Sequence, residues 1–335
     1  MYTGCRRKIP SRPDSTWQCI LMLKINNRGV AKLNSVGIVV QQTVIMFLMI
    51  GVGYWMFRSG RFSERGSKDM ASLMVSVVIP AVILNSFLGG YSAEKARVLI
   101  VCTLATVLVL LLSVAVGWKL FGRGIDCFAA TFSNPGFFGL PLISAAFGEG
   151  AVLYATPFVV GLNILQFSYG VSIMRKEKST FKVSDILKNP IFLSAVIGVV
   201  VFASGIQVHA ILTKTVSMMS NLNGPVAMLV MGAYLAQTNL STLLTRPSLY
   251  AVSAVRMLLI PALTLLILWK MPLDISVRQA LLICSACPVG ANVAVYAQLN
   301  DLDSGYAVQT VIHSTVLCIL TIPLVMLLAQ TLWGI

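Results

Sequence analysis

Charged side chains punctuate this chain only at long intervals. Reading from one Asp, Glu, Lys or Arg to the next leaves charge-free windows at 33–57, 70–93, 98–118, 127–148, 150–174, 189–213, 215–245, 279–300 and 304–335. Each holds the roughly 20 residues that a helix needs to cross about 30 Å of hydrocarbon. A further window, 247–269, is interrupted only by Arg256. Its eleven Leu, Ile and Val contribute about −5 kcal/mol against about +3 for a central Arg, so insertion stays favourable. The pattern predicts an all-α integral membrane protein with ten transmembrane helices.

Two windows carry residues that do not suit a continuous helix. The fourth contains "SNPGFFGLP" (Ser133 to Pro141) and the ninth "CPVGANVAV" (287–295), both about midway between flanking charges. Pro135 removes a backbone donor and clashes with the preceding turn, while Gly136 and Gly139 ease departure from helical geometry. Both spans are therefore predicted to be pairs of half-helices. Backbone groups freed in hydrocarbon cost several kcal/mol each, so such breaks survive only when buried in protein or lining a wet cavity. Matched breaks in two halves of a chain point to the binding site of an inverted-repeat transporter, where positive half-helix N-termini converge on an anion.

The repeat has weaker traces elsewhere. "IPAVIL" (79–84) in the second span and "GPVAML" (224–229) in the seventh each have an early proline followed by a glycine, Gly89 and Gly232. The charged loop "RKEKSTFKVSDILK" (175–188) divides the spans five and five. An odd number per half requires the two units to be oppositely oriented. The expected organisation is a basic extension over 1–33, a first five-helix repeat over 34–174, a cytoplasmic linker over 175–189 and a second, inverted repeat over 190–335.

Composition agrees with a membrane protein: 57% of residues are hydrophobic and 11% charged, against roughly 25% charged in soluble domains. The net charge of +14 would suggest a nucleic-acid partner in a soluble protein. Here it follows from the excess of Lys and Arg in cytoplasmic loops. Loops after odd-numbered spans hold twelve basic residues and those after even-numbered spans five. The expected partner is the lipid bilayer, with no nucleic acid, and the expected location is the cell membrane, multi-pass, with both termini external. The first 32 residues, with seven basic side chains, run against that orientation. They are read either as an over-called start, the functional chain beginning near Leu33, or as a disordered tail. Of the seven cysteines, the "CSAC" pair at 284–287 has metal or redox spacing, but in an apolar span it reads as packing. No metal and no cofactor are expected.

"SNPGFFGLPL", "GPVAMLVMGAYLA" and "CPVGANVAVYA" resemble the auxin efflux carrier family of secondary transporters, which includes bacterial permeases for malate, malonate and related organic acids. The resemblance covers about residues 35–335. It implies two inverted five-helix repeats, crossed broken helices in the fourth and ninth spans, external termini and a homodimeric assembly. The family's crossover Asn and Pro map onto Asn134 and Pro135 in one half and onto Pro288 and Asn292 in the other.

The expected substrate-binding residues are Asn134, Pro135, Gly136, Pro288, Gly290 and Asn292 at the crossover. Asn163 and Gln166, three apart on one helix face, either line the cavity with them or bond across helices. Arg256 either pairs with a substrate carboxylate or satisfies carbonyls freed by Pro261. His313 either relays protons or is a hydrogen-bonded packing residue. Asp126, Glu149, Asp301 and Asp303 read as solvated span ends.

These readings favour a secondary active transporter for small organic anions such as dicarboxylates, working by alternating access. A cation/proton antiporter of similar architecture would need carboxylates at the crossover, where this chain has Asn, Pro and Gly. An intramembrane enzyme would need a nucleophile with a base or paired acids, and no spacing supports either.

Overall fold

The computed structural model describes residues 35–174 and 183–334. The basic extension expected over 1–33, and residues 175–182 of the expected linker, lie outside them. The helices are α1 (Ser35–Arg58), α2 (Glu64–Phe87), α3 (Ala93–Phe121), α4 (Ile125–Thr131), α5 (Pro135–Phe147), α6 (Glu149–Met174), α7 (Val183–Leu187), α8 (Pro190–Ser204), α9 (Ala210–Ser220), α10 (Asn223–Gln237), α11 (Leu240–Thr245), α12 (Pro247–Trp269), α13 (Ile275–Ala286), α14 (Asn292–Leu299) and α15 (Ser304–Trp333). Extended pairing among the described residues is confined to one antiparallel bridge, Ser133 with Val289.

Six helices, α1, α2, α3, α6, α12 and α15, are long and apolar enough to cross a membrane, while α5, α8 and α13 are apolar but shorter. A charge-free window is thus not the same as a continuous helix. The fourth and ninth windows break at their Pro-Gly segments. The sixth stops early at Gly205, a left-handed cap (φ +65°), leaving α8 with 15 residues, or about 22 Å of rise. The outer faces carry bare apolar side chains, such as Leu48 (67% exposed), Val200 (62%) and Leu320 (71%). In water such a surface would aggregate; in lipid it is the natural solvent contact.

Three helix prolines, Pro80, Pro141 and Pro261, follow a local widening of the helix. Ile79 N–H bonds Met74 O just before Pro80, Ile260 N–H bonds Val255 O just before Pro261, and Leu140 N–H bonds Pro135 O. Each skips to the fifth residue back, a single π turn of the kind that relieves proline's missing donor.

Two helix pairs connect the halves of the chain at small residues. α10 lies along α1, where a side chain at Gly232 would strike Ile50 O and come within 2.6 Å of Tyr54 N, and one at Gly53 would strike Leu229 O. α8 lies along α2, with Gly198 against the Phe87 ring. Lipid tails are as apolar as the helices, so close van der Waals fit through small residues has to hold such pairs together.

Candidate functional site

The site is built where two helices are interrupted. α4 ends at Thr131, and Asn134 has left helical geometry (φ −114°, ψ 60°). Its Oδ1 accepts from Phe137 N–H at 3.4 Å and so caps α5. α13 ends at Ala286, Cys287 is extended (φ −60°, ψ 150°), and α14 starts at Asn292. The two extended pieces lie antiparallel. Asn134 N–H donates to Pro288 O and Gly290 N–H to Phe132 O, both at 2.9 Å. Val289 N–H donates to Ser314 Oγ at 3.0 Å. Each break therefore satisfies backbone groups of the other, which is what irregular backbone needs at this depth. Gly290 is required by proximity: a Cβ there would sit 2.9 Å from Ser133 O.

A cavity of about 40 Å³ lies beside this crossing, lined by Ser133, Asn134, Pro135, Gly136, Asn163, Gln166, Gly290 and Asn292, with Val75, Ile79 and Ile191 among its apolar walls. The first turns of α5 and α14 open onto it, and none of its lining side chains is charged. Ser133 Oγ and Asn134 Nδ2 are buried without a hydrogen-bond partner. Asn292 Nδ2 donates to Gln166 Oε1 at 2.8 Å, tying α14 to α6. Asn163 turns its Nδ2 onto Val159 O of its own helix at 2.8 Å.

Seven of the sequence-derived candidates, Asn134, Pro135, Gly136, Asn163, Gln166, Gly290 and Asn292, thus share one cavity. Pro288 contributes its carbonyl to the crossing rather than a cavity wall. Arg256 lies outside the cavity, 1% exposed. Its Nη1 donates to Ala130 O (3.2 Å) and Thr131 O (2.8 Å), and its Nη2 to Ser285 O. Both terminal nitrogens of the guanidinium are occupied by carbonyls while its buried Nε has no partner, and those carbonyls belong to the ends of α4 and α13, not to the turn before Pro261. His313 also lies outside, its Nδ1 2.8 Å from Ser253 Oγ and its ring edge-on to Tyr250. Ser133 and Ser314 were missed from sequence. Ser133 was detectable as the polar neighbour of the Asn-Pro break, whereas Ser314 stood out only as a polar neighbour of His313, and nothing local tied it to Val289, 25 residues away.

Two larger cavities flank the small one along α2. One of about 510 Å³ begins at Glu64 and Lys68 and includes Gln237, Asn239, Gln298 and Gln309. The other, about 210 Å³, includes Asn85, Ser86, Ser144, Glu149 and Asn223. The small cavity meets α2 between them, at Val75 and Ile79. Three separate cavities thus follow one another along α2, the smallest of them at the crossing.

Apolar outer faces around a buried crossing of broken helices define a multi-pass, all-helical membrane protein. The chain belongs to the Mem_trans family, membrane transport protein, whose family model matches residues 38–326. This is the auxin efflux carrier-like family that the crossover motifs resemble, and its members are transporters rather than enzymes. No individual curated protein matches the chain.

Proposed function

We propose that this transporter carries small organic anions, dicarboxylates among them, through the crossing of α4–α5 with α13–α14 by alternating access. The observation that carries the reading is the pair of unpartnered buried donors, Ser133 Oγ and Asn134 Nδ2, in an uncharged cavity that two half-helix N-termini face. Buried polar groups are normally paired, and a carboxylate supplies the acceptors and negative charge that donors and positive helix ends favour. A bare cation would need the opposite set, and no carboxylate lines this cavity. Ligand pockets are usually about 300–1,000 Å³, so a cavity of about 40 Å³ admits a dicarboxylate only after the helices around it move. The flanking cavities supply an approach from each end of α2.

The same reading takes the chain as ten spans in two inverted five-helix repeats over 34–174 and 190–335. Inversion of five-helix units makes the first span equivalent to the sixth and the second to the seventh, so a contact of the first with the seventh should be matched by one of the sixth with the second. Packing of α1 on α10 and of α8 on α2 supports this, as does the reciprocal pairing of the two breaks. With the charge bias, it puts the chain in the cell membrane with the connection before α8 cytoplasmic and both termini external.

Purified protein in proteoliposomes should take up radiolabelled malate or malonate, each acid competing with the other, with and without a pH gradient. Uptake of a metal cation in place of every organic anion would reject the proposal in favour of the antiporter. For orientation, a cysteine replacing exposed Lys188 should be protected from an impermeant thiol reagent in intact cells and react once they are opened. Labelling in intact cells would reverse the assignment.

A further inference from the structure

We propose that Arg256 is a tethered cation at the position where broken-helix carriers hold a coupling ion. The proposal rests on the reading that the crossing is the transport site. Broken helices present two kinds of end at their midpoint. The N-termini of α5 and α14 face the small cavity. The C-termini of α4 and α13 expose last-turn carbonyls, each end equivalent to roughly half a negative charge. In carriers of this construction such C-terminal ends and unwound carbonyls coordinate Na⁺ or a proton.

Here the place is filled covalently. Arg256 reaches from α12 to the last carbonyls of both half-helices at once, Ala130 O and Thr131 O of α4 and Ser285 O of α13. A planar guanidinium suits this, because its fork presents several donors in fixed directions to oxygens from two elements. No carboxylate neutralises it: among the described residues the salt bridge shown is the surface pair Lys68–Glu64. Its countercharge is therefore the pair of helix ends, whose roughly −0.5 each together balance one positive charge. An ion attached to the chain cannot be exchanged with solution. Sodium then neither occupies these carbonyls nor drives the cycle through them, and Arg256 holds α4 and α13 in the register that lets the two breaks pair.

The test reads cation binding rather than transport, so it stands whether or not organic anions prove to be the substrate. Thermal unfolding of the purified full chain is followed in sodium, choline or sub-denaturing guanidinium chloride at matched ionic strength. Wild type should unfold at the same temperature in sodium as in choline. Arg256→Ala should lose on the order of 10 °C, from three charge-assisted hydrogen bonds, and regain part of it in sodium or guanidinium but not in choline. Arg256→Lys should stay nearer wild type and ignore the added cation. Stabilisation of wild type by sodium over choline would overturn the proposal, as would an Arg256→Ala protein that melts like wild type or responds to no cation. Should Arg256→Ala give no folded protein, Arg256→Gln decides: it keeps donors without charge, and must be less stable than Arg256→Lys and gain from sodium. Equal stability of Gln and Lys variants counts against a tethered charge.

Discussion

Asn134→Asp is expected to fold at least as well as wild type and to lose organic-anion uptake at neutral pH. The two effects separate because the side chain does two jobs with two different atoms. Oδ1 caps α5 by accepting from Phe137 N–H, and a carboxylate does this as well or better at a positive helix end. Nδ2 is a buried donor without a partner on a residue that lines the cavity, and Asp replaces it with an anionic oxygen. At an effective dielectric of about 20, two unit charges about 4 Å apart repel by roughly 4 kcal/mol, about a thousandfold in affinity. Asn134→Ala loses the cap, about 1 kcal/mol of stability, and one hydrogen bond to a charged group, about 1.5 to 3 kcal/mol of binding. Stability should therefore rank Asp and wild type above Ala, while transport ranks wild type above Ala above Asp. Lowering the pH protonates the new acid and should restore part of its uptake. Thermal unfolding and uptake measured on the same preparations check both orders. Asp protein that carries organic anions as fast as wild type at neutral pH would refute the anion site.

The second large effect is expected at the seam between α1 and α10, with three glycines giving different answers. Gly232→Ala puts a Cβ against Ile50 O and 2.6 Å from Tyr54 N, and Gly53→Ala strikes Leu229 O with Leu229 Cα at 2.8 Å. The obstructing atoms are helix backbone, so the helices must part along their length. The cost belongs at the upper end of overpacking, about 3 kcal/mol, or about 4 °C in unfolding temperature for a chain of this length. Gly51→Ala, two residues away on the same helix, meets nothing within 4 Å and should be neutral or slightly stabilising, since Ala is the better helix former by about 1 kcal/mol. Thermal unfolding of the three single variants tests this. A Gly232→Ala protein as stable as Gly51→Ala would show that the two helices do not touch as closely as described.

The sequence by itself determined the features that depend on local composition. Long windows without charge marked apolar helices, because a charge in hydrocarbon is costly wherever the chain goes next. Pro135 and Pro288 marked the breaks, because a missing donor disrupts a helix whatever surrounds it. Residues beside those breaks, Asn134, Gly136, Gly290 and Asn292, could therefore be named as one cavity's lining. The number of continuous helices was not legible in the same way. Hydropathy measures what lipid tolerates, whereas helix length depends on where Gly205 turns left-handed and where extended segments find partners. Arg256 shows the difference most clearly. Its sequence neighbours leave a carboxylate and a backbone carbonyl equally open as its partner. The choice is made by Ala130, Thr131 and Ser285, which lie 126, 125 and 29 residues away. Which donors stay unpaired, as Asn134 Nδ2 and Ser133 Oγ do, is likewise decided by the tertiary structure alone. A hydrogen bond needs two groups within about 3 Å, and only the folded chain sets the distance between residues remote in sequence.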